Sequence, residues 1–306
     1  MRIAITGASG FLGLPTARLL VDQGHTVAAV VRSSARPLSG LEGRLSIIEG
    51  TLEAVSDLEG PLTDFQPDVV VHCGWAGVGG ADRDRPAQLH NIAAAGELAA
   101  MAGRAGAHCF IGIGSQAEYG PADRRVDEEQ APRPTTLYGV AKLASALATE
   151  RICRQAGLRW AWLRVFSLFG PRDNPGYLIP TLIERIRQGQ SPALTGCEQR
   201  WDYLFVDDAA AAIASVAESA VADGIFNLGA GDAPPLIETI SRIRDLIDPA
   251  ARLGVGEIPY RPDQVMHLEA DISRLTAATG WRPRTPLGDG LRATVAWHLQ
   301  QAARHG

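Results

Sequence analysis

The 306-residue chain has few cysteines and no clustered metal ligands. The four cysteines are Cys73, Cys109, Cys153 and Cys197, and no two of them have C-x-x-C spacing. None of the seven histidines belongs to an H-x-x-x-H pair. We therefore expect neither a zinc or other metal site nor a disulfide framework, and reduced thiols are typical of the cytoplasm.

Excess basic charge and long apolar runs are also lacking. Lys and Arg number 29 against 34 Asp and Glu, which gives a net charge of −5 and a pI near 5.8. Such a chain has no basic field for nucleic acid or an anionic membrane. No run of 18 apolar residues occurs, so no membrane-spanning helix is expected. The opening MRIAITGASG reaches a glycine loop before it can form the longer apolar stretch that a signal peptide needs. We expect a soluble cytoplasmic protein that binds neither nucleic acid nor membrane.

Short apolar runs alternate with longer helical patterns in the first half of the chain. The runs are continuous, which is typical of parallel strands buried on both faces. This βαβ repeat predicts an α/β protein with a doubly wound parallel sheet, the Rossmann architecture. The predicted strands are 2–6, 26–31, 45–49, 68–72, 108–113 and 159–165, and the main predicted helices are 11–22, 85–104 and 135–155.

The pattern changes after Gly170-Pro171, where proline and glycine become denser and the strands shorten. We predict a dinucleotide-binding domain over residues 1–170 and a smaller mixed α/β lobe over 171–306 that binds substrate. A segment near 205–230, with a strand at 224–228, is expected to return to the main domain.

Three glycines with G-x-x-G-x-x-G spacing follow the first predicted strand: Gly7, Gly10 and Gly13. The first permits a tight turn, the second lets backbone amides approach a pyrophosphate, and the third lets the next helix pack on the sheet. The N-terminus of that helix adds free N–H groups and a partial positive charge. Between a strand and a helix, this spacing indicates a dinucleotide site.

The end of the second predicted strand distinguishes the two nicotinamide cofactors. An NAD site places a carboxylate there to hold the ribose 2′-hydroxyl, but residues 30–36 contain no acid. Arginine matches phosphate geometry, so Arg32, with Ser33 beside it, can face the 2′-phosphate of NADP. We therefore favour NADP(H), with NAD(H) as the alternative.

Tyr138 and Lys142 lie four residues apart near the start of the long predicted helix, so both side chains share one face. A nearby cation lowers a tyrosine pKa towards the range that acid–base chemistry needs. Ser115 follows the fifth predicted strand, at the edge where open α/β sheets bind ligands. An ordinary surface pair is the alternative interpretation of Tyr138 and Lys142, but the glycine loop and the serine together favour a catalytic site.

These motifs and their order resemble the extended short-chain dehydrogenase/reductase family, in its nucleotide-sugar epimerase/dehydratase/reductase branch. The resemblance covers nearly the whole chain. It rests on TGASGFLG at 6–13, DVVVHCG at 68–74, GSQAEYGP at 114–121, YGVAK at 138–142, LRVFSLFGP at 163–171, WDYLFVDDAAAAI at 201–213, YRPDQV at 260–265 and ADISRLTAATGWRP at 270–283.

The resemblance implies that Ser115, Tyr138 and Lys142 form the catalytic trio, with Tyr138 and Lys142 also touching the cofactor. It further implies a set of cofactor contacts that spacing alone does not give. These are Phe11, Leu12, Leu52, Gly74, Asn91 and Phe166.

Departures from the family pattern narrow the chemistry. The 4,6-dehydratases of this branch carry an Asp-Glu pair directly after the catalytic hydroxyl, whereas Gln116 and Ala117 stand there in this chain. We therefore do not expect dehydration, and strand-like geometry is expected to turn Glu118 away from the site.

Two residues that contact the substrate in many members are also replaced. The asparagine of the LRxFN segment is Ser167, and the arginine before Asp-Tyr is Trp201, with Arg200 one residue earlier. Arg261 is then the better phosphate-binding candidate. The predicted substrate contacts are Ser115, Gln116, Ser167, Arg200, Trp201 and Arg261.

The expected reaction is NADPH-dependent reduction of the C4 keto group of a nucleoside diphosphate 4-keto-6-deoxyhexose. An NAD-dependent 4-epimerase of nucleoside diphosphate sugars and a reductase of a non-nucleotide carbonyl remain as alternatives. Many relatives pair through two helices, and residues 92–101 and 143–147 are small and apolar here. We therefore expect a homodimer.

Overall fold

The computed structural model describes residues 1–32, 38, 40–41, 43–261 and 264–305. Its strands are β1 (Arg2–Thr6), β2 (Thr26–Val31), β3 (Ser46–Glu49), β4 (Val69–His72), β5 (Cys109–Ser115), β6 (Arg124–Val126), β7 (Arg159–Val165), β8 (Ser167–Phe169), β9 (Arg200–Trp201), β10 (Tyr203–Phe205), β11 (Gly224–Leu228) and β12 (His267–Ala270). Its α-helices are α1 (Gly13–Asp22), α2 (Glu59–Phe65), α3 (Gln88–Arg104), α4 (Leu137–Ala156), α5 (Leu178–Arg187), α6 (Val206–Glu218), α7 (Leu236–Ile247), α8 (Ser273–Thr279) and α9 (Leu287–His305).

A seven-stranded sheet in the order β11-β7-β5-β4-β1-β2-β3 forms the centre of the protein. Every neighbouring pair in it is parallel, which confirms the predicted Rossmann architecture. All residues of β4 and β5 are buried, as continuous apolar runs require when helices cover both faces.

Two helical layers enclose the sheet. On one face α1 and α6 pack together, with Leu20 and Ile213 fully buried between them and the strands. On the other face α3 and α4 pack on each other over Leu98 and Ala146. The segment that contains α6 and β11 belongs to this main body, because β11 pairs with β7 from Gly224 opposite Ala161 onwards.

A smaller lobe lies beyond the carboxyl ends of the strands. It contains a two-stranded sheet, β10-β8, and a three-stranded sheet, β6-β12-β9. Helices α5, α7 and α9 enclose its apolar core, which includes Ile183, Ile240 and Leu291. The cleft between this lobe and the main sheet contains Ser115, Tyr138 and Lys142 together with part of the other predicted site residues.

Some predicted boundaries are wrong by a few residues for identifiable reasons. The helix predicted to begin at residue 85 begins at Gln88, because Arg85 precedes a proline and is extended, with ψ of 142°. Strand β5 runs two residues further than predicted and ends at Ser115 itself. That extension brings the predicted catalytic hydroxyl to the edge of the sheet.

Within the part of the chain that the structure describes, no helix combines the length and the apolar character needed to cross a membrane.

Asp202 joins the lobe to the main sheet. Its carboxylate is fully buried and accepts hydrogen bonds from the backbone N–H groups of Ala230 (2.6 Å), Gly231 (3.0 Å) and Ala270 (3.0 Å). We expect Asp202→Asn to lower the free energy of unfolding by about 1–3 kcal/mol, because an amide cannot accept all three bonds. Urea denaturation measures this, with the exposed Asp22→Asn as the control. Equal effects of the two substitutions would contradict this role.

Candidate active site

The glycine loop between β1 and α1 has no room for a side chain at Gly7 or Gly13. Gly7 has a φ of +66°, and a β-carbon there would lie 2.7 Å from the backbone nitrogen of Gly74. A β-carbon on Gly13 would lie 2.1 Å from the Gly7 carbonyl oxygen. Helix α1 begins at Gly13, so its first N–H groups point towards this turn. These residues fit the pyrophosphate of a dinucleotide.

A cleft of about 550 Å³ runs from this loop to the smaller lobe. The three glycines, Phe11 and Leu12 line one end, and residues of β8, α5 and β10 line the other. Ser115, Tyr138 and Lys142 all line the cleft. Their side chains are nearly buried, with 8%, 8% and 4% exposed.

Two capping contacts set the start of α4 and thereby place Tyr138 in its first turn. The Thr136 hydroxyl accepts a hydrogen bond from the backbone N–H of Gly139 at 3.2 Å. Asp84 Oδ1 accepts one from the backbone N–H of Leu137 at 2.9 Å. Both bonds satisfy N–H groups that a helix leaves free at its N-terminus.

Lys142 is the only lysine in the chain, and it is held inside the protein. Its Nζ donates a hydrogen bond to the Ile113 carbonyl oxygen at 2.6 Å and lies 3.5 Å from the centre of the Trp75 ring. Burial lowers the pKa of Lys142 to about 7, because an ammonium loses hydration there. Near neutral pH this amine can therefore exchange its proton.

The pKa of Tyr138 is raised, whereas the sequence predicts that the nearby lysine lowers it. Burial raises the pKa of Tyr138 to about 12, while a hydrogen bond with Ser115 and the charge of Arg83 act in the opposite direction. The expected lowering by Lys142 is wrong for this arrangement, because the lysine ammonium is directed at Ile113 and lies 5.8 Å from the centre of the tyrosine ring.

Ser115 is held by a short 3₁₀ turn over Gln116–Glu118. Its Oγ accepts a hydrogen bond from the backbone N–H of Ala117, and Glu118 Oε1 accepts one from the backbone N–H of Ser115 at 2.9 Å. Glu118 is fully buried and forms an ion pair with Arg164 at 2.7 Å. It is outside the cleft lining, as predicted, although the local geometry is a helical turn and not a strand.

The other predicted residues divide into two groups. Gln116, Phe166, Ser167 and Trp201 line the cleft, and Trp201 Nε1 donates a hydrogen bond to Ser167 Oγ at 2.8 Å. Those outside the lining are Arg32, Leu52, Gly74, Asn91, Arg200 and Arg261, of which Arg32, Arg200 and Arg261 are exposed. Ser33 lies outside the described residues.

The Asn91 side chain forms its hydrogen bonds within the protein. It accepts from the backbone N–H of Ala76 at 3.0 Å and donates to the Ala76 carbonyl and to Gln88. Gln88 in turn accepts from Trp75 Nε1 at 2.9 Å. These bonds fix the loop after β4, whose Trp75 contacts Lys142.

Sequence reasoning missed five polar residues of the cleft: Arg83, Asp173, Asn174, Tyr177 and Tyr203. Asp173 is nearly buried, and burial raises its pKa to about 7, while a hydrogen bond from the backbone N–H of Asn174 acts against this. It is the only acid among the described residues that line the cleft. No spacing marks these residues, since four of them come from turns between elements and Tyr203 begins the short strand β10.

In the described ranges, no group of three His, Cys, Asp or Glu residues could hold a metal ion. His72 lies below the cleft, where burial and the charge of Lys142 lower its pKa to about 3. It shares a hydrogen bond of 2.8 Å with the Thr6 hydroxyl.

Gly13→Ala tests the fit of the glycine loop. We expect binding of NADPH and NAD to weaken about tenfold or more, because overpacking costs about 1–3 kcal/mol and each 1.4 kcal/mol is tenfold. Calorimetric titration measures this. The control is Gly60→Ala, whose β-carbon would meet nothing within 4 Å. Unchanged affinity in Gly13→Ala would show that the dinucleotide binds elsewhere.

Known proteins with different activities resemble this chain to a similar degree. It is 28% identical to a dTDP-glucose 4,6-dehydratase of Streptomyces griseus, over 97% of this chain and 93% of that protein. It is 26% identical to a GDP-6-deoxy-D-mannose reductase of Pseudomonas aeruginosa, over 96% of each. A solved UDP-N-acetylglucosamine 4-epimerase of Methanobrevibacter ruminantium has a TM-score of 0.86, 26% identity and 98% coverage of both chains.

Enzymes that catalyse these three different reactions are similar to this chain over nearly its whole length. The percentage of sequence identity to each of them therefore does not indicate which reaction this chain catalyses. The family model described as the NAD dependent epimerase/dehydratase family matches residues 3–229. This match confirms the resemblance found in the motifs and covers the glycine loop, the three predicted catalytic residues and the central sheet except its first residue, Arg2. The chain belongs to the NAD dependent epimerase/dehydratase family, whose members act on nucleotide sugars as epimerases, dehydratases and reductases.

Proposed function

We propose that the protein is a nucleotide-sugar reductase that uses NADPH to reduce the C4 keto group of a nucleoside diphosphate 4-keto-6-deoxyhexose. One observation carries this proposal. The Ser115, Tyr138 and Lys142 side chains meet in a cleft continuous with the glycine loop, and the two residues after Ser115 are Gln116 and a buried alanine. That arrangement can move a proton at a carbonyl oxygen but has no acid pair for eliminating water.

The residues of the cleft divide the work of carbonyl reduction. Ser115 donates a hydrogen bond to the carbonyl oxygen and stabilises the charge that develops on it. Tyr138 gives its proton to that oxygen, and Lys142 holds the cofactor ribose. A bound nicotinamide dinucleotide supplies the hydride.

Arg32 supports NADPH as the cofactor. It follows β2 with its side chain exposed, at the position where an NAD site needs a carboxylate. A guanidinium pairs with a 2′-phosphate in the same geometry in which it pairs with a carboxylate.

The residues at the substrate end of the cleft are suited to binding a sugar. Asp173, Tyr177 and Tyr203 offer hydroxyl and carboxyl groups around an apolar wall that includes Leu178 and Ile179. Burial raises the pKa of Asp173 to about 7, so its carboxyl can donate as well as accept a hydrogen bond near neutral pH. The dTDP-, GDP- and UDP-sugars in the names of the relatives support a nucleoside diphosphate as the remainder of the substrate.

A 4-epimerase is the second candidate. The 26% identical epimerase structure favours it, and a cleft of about 550 Å³ has room for a keto sugar to turn over. Such an enzyme uses the same three side chains with NAD and shows no net change in cofactor.

We further propose a cytoplasmic homodimer formed through α3 and α4. Leu89, Val140 and Leu147 on these helices are 53%, 43% and 61% exposed. Burying such side chains against a second copy is favourable.

Turnover with a 4-keto-6-deoxy sugar nucleotide and NADPH tests the reaction. We expect stoichiometric loss of NADPH absorbance, and Tyr138→Phe to reduce kcat about 100-fold or more, because it removes the proton donor. Tyr260→Phe, outside the cleft lining, is the matched control. Interconversion of two nucleotide sugars without loss of NADPH would establish the epimerase instead. Turnover only of carbonyl compounds that lack a nucleotide would contradict both.

Arg32→Ala tests the choice of cofactor. We expect KM for NADPH to rise about tenfold, the effect of losing one charge-assisted hydrogen bond of about 1.5 kcal/mol, with little change for NADH. Initial rates with each cofactor measure this. Equal effects on both cofactors would contradict a contact with the 2′-phosphate.

A further inference from the structure

Arg83 lies directly over the ring of Tyr138. It belongs to the short 3₁₀ turn Gly80–Asp84 that follows β4, and its guanidinium carbon is 4.5 Å from the centre of the tyrosine ring. Its side chain lines the cleft. Neither the glycine loop nor the catalytic trio predicts a cation at this position.

Two contacts fix this turn, one to α4 and one to α3. Asp84 Oδ1 accepts a hydrogen bond from the backbone N–H of Leu137, which directly precedes Tyr138. On the other side, Gln88 Nε2 donates to the Asp82 carbonyl oxygen at 3.0 Å. Arg83 stands between these two contacts, so its position over Tyr138 does not depend on its own side chain alone.

The charge of Arg83 has no carboxylate partner among the residues that the structure describes. Its Nε is buried without a hydrogen-bond acceptor. The two neighbouring acids are occupied elsewhere, since Asp82 pairs with Arg85 at 3.1 Å and Asp84 caps α4. An uncompensated guanidinium next to a phenol ring favours the ionised phenol, whose negative charge spreads into the ring.

The other charged and titratable groups around Tyr138 do not replace this cation. Lys142 on α4 lies 5.8 Å from the ring centre and donates to Ile113. Burial lowers its pKa to about 7, so near neutral pH it carries only part of a charge. Glu118, after β5, and Tyr177, before α5, both act against the phenolate.

We propose that Arg83 is a positioning residue that stabilises the phenolate form of Tyr138 and so makes its proton available for transfer. An arginine keeps its charge across the working pH range, unlike the buried Lys142 amine. This proposal rests on the proposed function, in which Tyr138 exchanges a proton with the substrate oxygen.

Fluorine NMR of protein carrying 3,5-difluorotyrosine tests the proposal without any reaction. Fluorination lets the phenol ionise within the pH range of the folded protein, and Tyr138→Phe assigns one of the five tyrosine signals. We expect Arg83→Met to raise the pH midpoint of the Tyr138 titration by about one unit. This is the lower end of the effect that an adjacent opposite charge has on a pKa. Arg83→Lys should restore part of the shift.

Arg104→Met is the matched control, since it removes the same charge from the C-terminal end of α3, where the Arg104 side chain is 52% exposed. It should leave the Tyr138 ionisation unchanged. If thermal denaturation shows that Arg83→Met is unstable, the same titration is carried out on Arg83→Gln, for which the same shift is expected. An unshifted Tyr138 signal in a folded Arg83 variant would overturn the proposal.

The pH profile of kcat/KM provides the second readout. In the direction of carbonyl reduction the phenol must be protonated, so activity is lost above its pKa. Measured on the fluorinated protein, Arg83→Met should move this alkaline limb upwards, in step with the NMR titration. A higher KM with an unmoved limb and an unmoved signal would show that Arg83 binds an anionic substrate group instead. If no nucleotide sugar is turned over, the proposed function fails while the NMR titration still decides the role of Arg83.

Discussion

The burial of the Lys142 ammonium is the constraint on which the candidate active site depends. Its nitrogen lies 2.6 Å from the Ile113 carbonyl and 3.5 Å from the centre of the Trp75 ring. It therefore joins three elements: β5, α4 and the loop after β4. Each element contributes to the site, because β5 ends at Ser115 and α4 begins next to Tyr138. A charge in such surroundings loses hydration. The pKa values of the Lys142 amine and the Tyr138 phenol therefore depend strongly on any charged or polar group that a ligand brings into the cleft.

A second buried charge supports this site from below. The Glu118 carboxylate binds Arg164, Trp162 Nε1 and the backbone N–H of Ser115. Because every oxygen is occupied, Glu118 fixes the serine and does not take part in the chemistry of the cleft. Isolated buried ion pairs are costly, but here the pair holds Ser115 at the edge of the sheet. In the proposed function, this keeps the Ser115 hydroxyl where it can donate a hydrogen bond to the substrate carbonyl oxygen.

Much of this arrangement could be predicted from the sequence because it depends on local spacing. Three features follow from nearby residues in the sequence: the glycine loop, the i, i+4 pair of Tyr138 and Lys142, and the serine at the end of β5. Arg83 and Asp173 could not be predicted, because they come from turns whose paths depend on tertiary packing. The acidity of Tyr138 was also wrongly predicted, since spacing gives the direction of a helix face but not the hydrogen bond that turns the lysine towards Ile113.

Direct titration of Lys142 tests the central claim. Because the chain contains a single lysine, protein labelled with carbon-13 at the lysine ε-carbon gives one lysine NMR signal. The account predicts that this signal titrates with a midpoint near pH 7, the value to which burial lowers the Lys142 pKa. A midpoint near the ordinary lysine value of 10.5 would show that the ammonium is hydrated, and the buried site described here would then be wrong.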